Sequence, residues 1–138
     1  MSLENTTIVE IIETFEFLDD WEDRYRTIID LGKQLLPLAA EEMTGAFKVR
    51  GCQSQVWLVP TIDADGLIHF RGDSDAHIVK GLVALMIILF SGKTAKEILA
   101  IDARSVLDQL GLSAHLSPMR ANGVFSMVER IKDIANAG

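Results

Sequence analysis

The sequence of 138 residues contains a single cysteine, Cys52, which excludes an intramolecular disulfide and a dithiol redox pair. A chain without disulfides is typical of a reducing compartment, so we expect a cytoplasmic protein. A zinc or iron–sulfur centre needs three or four soft ligands, and one cysteine with three scattered histidines makes a poor set. We therefore expect no bound metal.

Long apolar runs and basic clusters are absent as well. The longest apolar run, Leu82 to Phe90, is far shorter than the ~20 residues of a membrane helix, and residues 1–5 lack signal-peptide features. Residues 1–46 hold 11 acidic and three basic side chains, whereas residues 47–138 are nearly neutral. We expect neither membrane nor nucleic-acid binding. The acidic region predicts either a solvated helix face or a docking surface for a basic partner.

The spacing of apolar residues predicts helices in both terminal parts of the chain. Thr6-Thr7 and Asp19 or Asp20 are suited to cap the first two helices. The segment 78–90 predicts a central buried helix, for which Gly72 to Asp75 offer several caps. Ser117-Pro118 predicts the start of the last helix, because proline is favoured at the first helical position.

A short region between these helices has the two-residue period of strands. Strands are predicted over 47–50, 53–62 and 67–71, with a turn at 63–66. Three short strands need helices on one face to be stable. The order of elements indicates a single α+β domain over residues 1–138, built on a three-stranded antiparallel sheet with helices on one face.

The cysteine lies at the mouth of a predicted strand, in the run Gly51-Cys52-Gln53-Ser54. A structural cysteine usually lies in an apolar stripe, whereas this one has polar neighbours. Lys48 and Arg50 are close in sequence, Arg71 could approach across the sheet, and nearby cations favour the nucleophilic thiolate. We therefore interpret Cys52 as a presented, reactive thiol.

Three functions are compatible with such a thiol. A carrier would accept a group by nucleophilic attack and pass it to a partner. A cysteine hydrolase would need a histidine base, for which His69 on the neighbouring strand is the candidate. A non-catalytic regulator would bind its partner through the acidic helices, and Cys52 would then be incidental.

Four segments resemble signature segments of the SufE family of sulfur acceptors, in the family's order and over nearly the whole chain. They are V-R-G-C-Q-S-Q-V-W-L at 49–58, G-D-S-D-A-H-I-V-K-G-L at 72–82, F-L-D-D-W-E-D-R-Y at 17–25 and H-L-S-P-M-R-A-N-G at 115–123. The resemblance implies that Cys52 accepts persulfide sulfur from a cysteine desulfurase, stimulates that enzyme and passes the sulfur on for iron–sulfur cluster assembly. It also implies an architecture similar to that of iron–sulfur scaffold proteins.

Six residues are expected to support the cysteine, and the resemblance implies two of them, Asp75 and Arg120. Residues on either side of Cys52 and two distant polar residues are expected to position the loop or to contact a partner: Arg50, Gly51, Gln53, Ser54, Asp75 and Arg120. No cofactor is expected on this chain, because any pyridoxal phosphate would belong to the desulfurase. We also expect Cys52 to shelter in an apolar pocket lined partly by Val56, Trp57 or the central helix.

Overall fold

The computed structural model of the protein describes residues 6–51 and 54–137 and confirms an α+β fold. Helices occupy both ends of the described chain, and a β-hairpin lies between them. The helices are α1 (Ile8–Phe17), α2 (Trp21–Gly32), α3 (His77–Phe90), α4 (Ala95–Ala100), α5 (Ala103–Gln109), α6 (Leu112–His115) and α7 (Pro118–Ala137). The strands are β1 (Val56–Ile62) and β2 (Ile68–Ser74), and a 3₁₀ turn covers Ala40–Glu42.

The prediction of a three-stranded sheet is wrong, because the described residues form only two strands. β1 and β2 pair antiparallel from Val56 opposite Ser74 to Ile62 opposite Ile68. The segment 47–50 contributes one isolated bridge, Lys48 opposite Trp57, on the other edge of β1. Turns lie directly before and after this bridge, at 45–47 and 50–51, and they leave no room for a longer ladder.

The predicted caps of the terminal helices are confirmed. The Thr7 hydroxyl accepts a hydrogen bond from the Glu10 N–H at 3.2 Å, and an Asp20 carboxylate oxygen accepts one from the Glu22 N–H at 2.9 Å. α7 begins at Pro118 as predicted, and the Ser117 hydroxyl accepts from the N–H of the third helical residue at 3.3 Å. These bonds satisfy N–H groups that a helix start leaves without partners.

The predicted capping of α3 by the segment 72–75 is wrong. α3 follows Ala76 without a side-chain cap. The Asp73 carboxylate accepts instead from the N–H of Ser74 at 2.8 Å. The Asp75 carboxylate accepts from the N–H of Gln55 at 3.1 Å. It therefore binds the segment around Cys52, residues 49–55 (the cysteine segment), and not the start of the helix.

The centre of the fold is α3, in which every residue from Gly81 to Phe90 is buried. α2 crosses it at very short range, since a Cβ on Gly81 would lie 2.2 Å from the carbonyl oxygen of Ile28. β2 approaches it almost as closely, since a Cβ on Gly72 would lie 2.7 Å from a methyl group of Val83. Although α3 is strongly apolar, none of the helices described in 6–51 and 54–137 has both the length and the apolar character needed to span a bilayer.

The contact between α2 and α3 predicts a strong effect of Gly81→Ala on stability. The new methyl group would meet backbone atoms of Ile28, which cannot rotate away. We expect a loss of about 3 kcal/mol in the free energy of unfolding, at the upper end of typical overpacking costs. Chemical denaturation measures this loss.

Gly45→Ala is the matched control, because nothing lies within 4 Å of a Cβ at that position and its φ is not positive. We expect a change of less than about 0.5 kcal/mol for this surface substitution. Equal denaturation midpoints for the two variants would contradict the proposed role of the Gly81 contact.

Candidate functional site

The candidate site is the segment that contains Cys52. Cys52 and Gln53 lie outside the described residues, so the chain on either side of them defines the site. The entry is held by Val49, which is buried and donates its N–H to the Val56 carbonyl at 2.8 Å. The approach to the segment is therefore attached to the start of β1, the strand into which the segment leads.

Asp75 holds the exit of the segment. Its carboxylate accepts from the Gln55 N–H at 3.1 Å, and its own N–H donates to the Gln55 carbonyl at 3.3 Å. These two bonds continue the hairpin pairing one residue beyond the Val56–Ser74 pair. The predicted site residue Asp75 is thus in direct contact with the cysteine segment.

Gly51 holds the entry against α7. Its φ is +89°, a conformation that residues with a Cβ rarely adopt. A Cβ at this position would also lie 2.5 Å from the hydroxyl oxygen of Ser126. Glycine is therefore required for the turn, and a side chain at this position would also force the Ser126 hydroxyl to rotate. The contribution of Ser126 had no signal in the sequence, because a serine on a helix face is unremarkable.

A small cavity beside the segment brings together two of the predicted site residues. Ser54 and Arg120 both line it, and its volume is about 80 Å³. The remaining lining comes from α3 and α7: Val79, Leu82, Met119, Gly123 and Met127. The central helix therefore lines a cavity beside the segment, whereas Val56 and Trp57 are not among the lining residues, and the shelter of Cys52 in it stays a prediction.

Arg71, one of the cations expected near the thiol, is engaged elsewhere. It lies opposite Val59 in the hairpin, and its guanidinium donates to both carboxylate oxygens of Glu42, at 3.0 Å for the Nη1–Oε1 pair. This ion pair lowers the pKa of Glu42, with help from the Ala39 N–H, and raises the pKa of Arg71. The pair fixes the 3₁₀ turn on the hairpin. Lys48 and Arg50, by contrast, are exposed next to the cysteine segment.

The geometry places His69 at the wrong end of the hairpin for a base that serves Cys52. His69 lies opposite Thr61, five residue pairs from the Val56–Ser74 pair. At about 3.3 Å per residue, this corresponds to roughly 16 Å along the strands. Its Nε2 atom contacts a carboxylate oxygen of Asp63 at 2.7 Å, and this contact lowers the pKa of Asp63.

Two of the segments that carry the family resemblance, 17–25 and 115–123, contact each other. The Trp21 ring stacks on His115 with centroids 3.8 Å apart, and the Tyr25 hydroxyl donates to the His115 carbonyl. Arg24 lies over the same Trp21 ring, 5.0 Å from its centroid. Trp21 and Tyr25 are half-buried and pack against the core. This cluster attaches α2 to the segment preceding α7.

Metal ligands do not cluster in the described part of the chain. Within 6–51 and 54–137, no group of three or more His, Asp or Glu side chains is arranged to hold a metal ion.

Comparisons with known proteins agree with this fold. The family model described as SufE, Fe-S metabolism associated domain, matches residues 9–135. The chain belongs to the SufE family. An uncharacterized SufE-like protein of Rhizobium meliloti (strain 1021) is 53% identical over 133 residues, which cover 94% of this chain and 95% of that protein.

Two further relatives extend the comparison. An uncharacterized SufE-like protein of Rhizobium etli is 53% identical over 129 residues, covering 91% of this chain and 87% of that protein. The solution structure of a hypothetical protein from Thermus thermophilus superposes with a TM-score of 0.76 at 17% identity, covering 94% of this chain and 93% of that one. This likeness shows a shared fold.

Gly51→Ala should both destabilise the protein and displace the cysteine segment. The substitution combines the strain of a positive φ with a clash against Ser126. Gly66→Ala is the matched control, because Gly66 has a φ of +82° but nothing within 4 Å of a Cβ. A residue with a Cβ in the left-handed conformation lowers the free energy of unfolding by about 1–2 kcal/mol, and this loss is common to both variants.

We expect Gly51→Ala to lower the free energy of unfolding further than Gly66→Ala, and to slow sulfur loading of Cys52 by a desulfurase at least several-fold. Thermal unfolding and thiol kinetics measure the two effects. If the variants matched each other in both readouts, the Gly51–Ser126 contact would have no role in positioning the segment.

Proposed function

We propose that this protein is a sulfur carrier that accepts persulfide sulfur from a cysteine desulfurase on Cys52. The observation that carries the proposal is that both ends of the cysteine segment lie against the fold, with Gly51 packed close to Ser126 and Gln55 hydrogen-bonded to Asp75. These contacts hold the approach to the thiol and the exit from it at fixed points of the fold. Membership of the SufE family, whose model is associated with Fe-S metabolism, supports the same function.

The chemistry is an exchange at sulfur. The Cys52 thiolate attacks the outer sulfur of a persulfide on the donor, a new sulfur–sulfur bond forms, and the donor cysteine leaves as a thiolate. The transferred atom is formally neutral sulfur, so the step needs no added oxidant or reductant. The exposed cations Lys48 and Arg50 favour the attacking thiolate over the thiol.

A carrier must protect its cargo between partners. We propose that Cys52 shelters at rest against the small cavity that Ser54 and Arg120 line, whose apolar side is formed by Val79, Leu82 and Met127. Apolar surroundings raise the pKa of a thiol and so reduce its reactivity. Docking of the desulfurase would draw the segment outwards and restore the thiolate.

The proposal includes the setting of the protein. We propose one domain, a cytoplasmic location, a desulfurase as sulfur donor, and an iron–sulfur scaffold or another sulfur-using protein as acceptor. Support comes from the single cysteine and from the match of the SufE family model over residues 9–135. The chain itself would act as a transfer partner without a cofactor of its own.

Mass spectrometry after incubation with a desulfurase and free cysteine tests the carrier directly. We expect a gain of ~32 Da per transferred sulfur atom on Cys52, the mass of sulfur in persulfide exchange. Cys52→Ser should gain no mass and should still bind the desulfurase. His69→Ala is the control for the hydrolase alternative, and it should load sulfur at the rate of the unaltered chain.

The regulator alternative makes the opposite prediction for the same variants. If Cys52→Ser stimulated the desulfurase as strongly as the unaltered protein, sulfur acceptance by Cys52 would be ruled out as the basis of stimulation. An acyl adduct on Cys52 that depended on His69 would instead indicate a hydrolase.

Hydrogen–deuterium exchange tests the sheltered resting state. We expect peptides covering residues 45–55 to exchange faster when a desulfurase is bound, because docking moves the segment away from its cavity. Peptides covering the distant hairpin turn, residues 63–67, are the internal control and should not change. Equal protection of 45–55 in both states would contradict the sheltering.

A further inference from the structure

A mixed-charge cleft lies beside the cysteine segment, on the side of α7. It consists of two adjoining cavities of about 420 Å³ each, which share Gly45, Lys48, Val49 and Arg50. One cavity extends over α7, and the other reaches Gly51, the residue bonded to Cys52. Cavities of this size lie within the range that binds small molecules in proteins.

The wall on α7 is built from one face of the helix. Ser126, Arg130 and Asp133 follow one another at intervals of four and three residues, and Glu129 lies beside them. Residues at this spacing are neighbours on a helix surface. The opposite wall carries Lys48 and Arg50, so the cleft contains three cationic and two anionic side chains.

These charges are not used to hold the fold together. None of the five makes an ion pair with another residue of the described chain. The Nε atom of Arg130 is buried and has no hydrogen-bond acceptor among the described residues. The Arg130 side chain as a whole is only half-buried and lines the cavity, so an anionic oxygen supplied by a ligand would form a charge-assisted hydrogen bond with its guanidinium group.

We propose that this cleft binds a small zwitterionic thiol, of the kind represented by cysteine, and that the bound thiol removes the sulfur from Cys52. The removal of sulfur from Cys52 rests on the proposed function, whereas the binding of the thiol does not. The ligand carboxylate would bind Arg130, and the ammonium group would bind Asp133 or Glu129. An amino acid carries both charges on one carbon, and the adjacent opposite charges of Arg130 and Asp133 match that arrangement.

A thiol is the ligand class that this position favours, because the cleft reaches the residue preceding Cys52. The ligand thiolate would attack the outer sulfur of the Cys52 persulfide, and the bond between the two sulfurs of that persulfide would break. The products are a ligand persulfide and the free Cys52 thiolate. Charge, protons and electrons balance without any further reactant.

Binding is tested first on the Cys52→Ser protein, in which no sulfur chemistry can occur. Isothermal titration and NMR would compare cysteine with cysteamine, which lacks the carboxylate, and with 3-mercaptopropionate, which lacks the ammonium group. We expect cysteine to bind at least tenfold more tightly than either analogue and to shift resonances of Ser126 and Arg130. Glutathione also carries a thiol, an ammonium group and carboxylates. Its affinity relative to that of cysteine would show whether the cleft prefers a free amino acid or a peptide thiol.

Two variants of the cleft and two matched controls complete the binding test. Arg130→Gln and Asp133→Asn should each weaken binding about tenfold, as expected for loss of one charge-assisted hydrogen bond. Lys96→Gln and Asp108→Asn make the same changes of charge at exposed positions outside the cleft and should leave binding unchanged. Cysteine binding no tighter than cysteamine, or unaffected by either cleft variant, would overturn the site.

Transfer is then measured on the unaltered chain, loaded by a desulfurase and separated from it. Removal of sulfur from Cys52 should saturate with cysteine concentration, and Arg130→Gln should abolish the saturation. Rates that rise linearly and equally for all thiols would overturn the transfer step. If Cys52 never acquires sulfur, the proposed function fails, while the binding measurements decide the zwitterion site separately.

Discussion

The close crossing of α2 and α3 is the constraint on which the rest of the structure depends. Gly32 and Gly81 lie at the crossing, where a Cβ on Gly32 would be 2.7 Å from the Gly81 nitrogen. This approach places α3 in the centre of the fold, buried from Gly81 onwards. The first turns of α3 then reach the cysteine segment, where Val79 and Leu82 line the cavity next to Ser54.

The candidate site follows from this packing through two different surfaces. β2 packs closely on α3 at Gly72 and Val83, and the residue after its end delivers the Asp75 carboxylate to the exit of the cysteine segment. α7 packs its own buried face on the core and presents Ser126 to the entry. The ends of the segment therefore meet the hairpin on one side and a helix on the other. A segment held at both ends in this way suits a thiol that is sheltered at rest and exposed when a partner docks.

The sequence was sufficient for features that depend on local chemistry. Thr7, Asp20 and Ser117 cap helices because their side chains reach N–H groups a few residues away. The continuous apolar character of 78–90 likewise predicted burial on all sides, which α3 shows from Gly81 onwards. The order of the predicted elements indicated the fold class. The resemblance to a family brought Asp75 and Arg120 into consideration, two residues distant in sequence that border the cysteine segment.

Features that depend on distant contacts were predicted poorly. The strand over 47–50 reduces to one bridge, because turns enclose it on both sides. Asp75 had the composition of a helix cap, but its carboxylate accepts from the Gln55 N–H across the hairpin. Arg71 was expected near the thiol, yet Glu42 from a separate turn neutralises it. The sequence did not indicate that the charged residues beside Ser126 line a cleft, because the cleft forms only where α7 packs against residues 45–50.

The central claim is that Cys52 carries sulfur covalently from the desulfurase to an acceptor. A single-turnover experiment with radiolabelled cysteine and a desulfurase tests it most directly, because it follows one sulfur atom in time. The account predicts that label appears on Cys52 before any labelled sulfide is free in solution, and that a second acceptor removes it from there. Label released as sulfide with the same time course in the unaltered chain and in Cys52→Ser would contradict the claim.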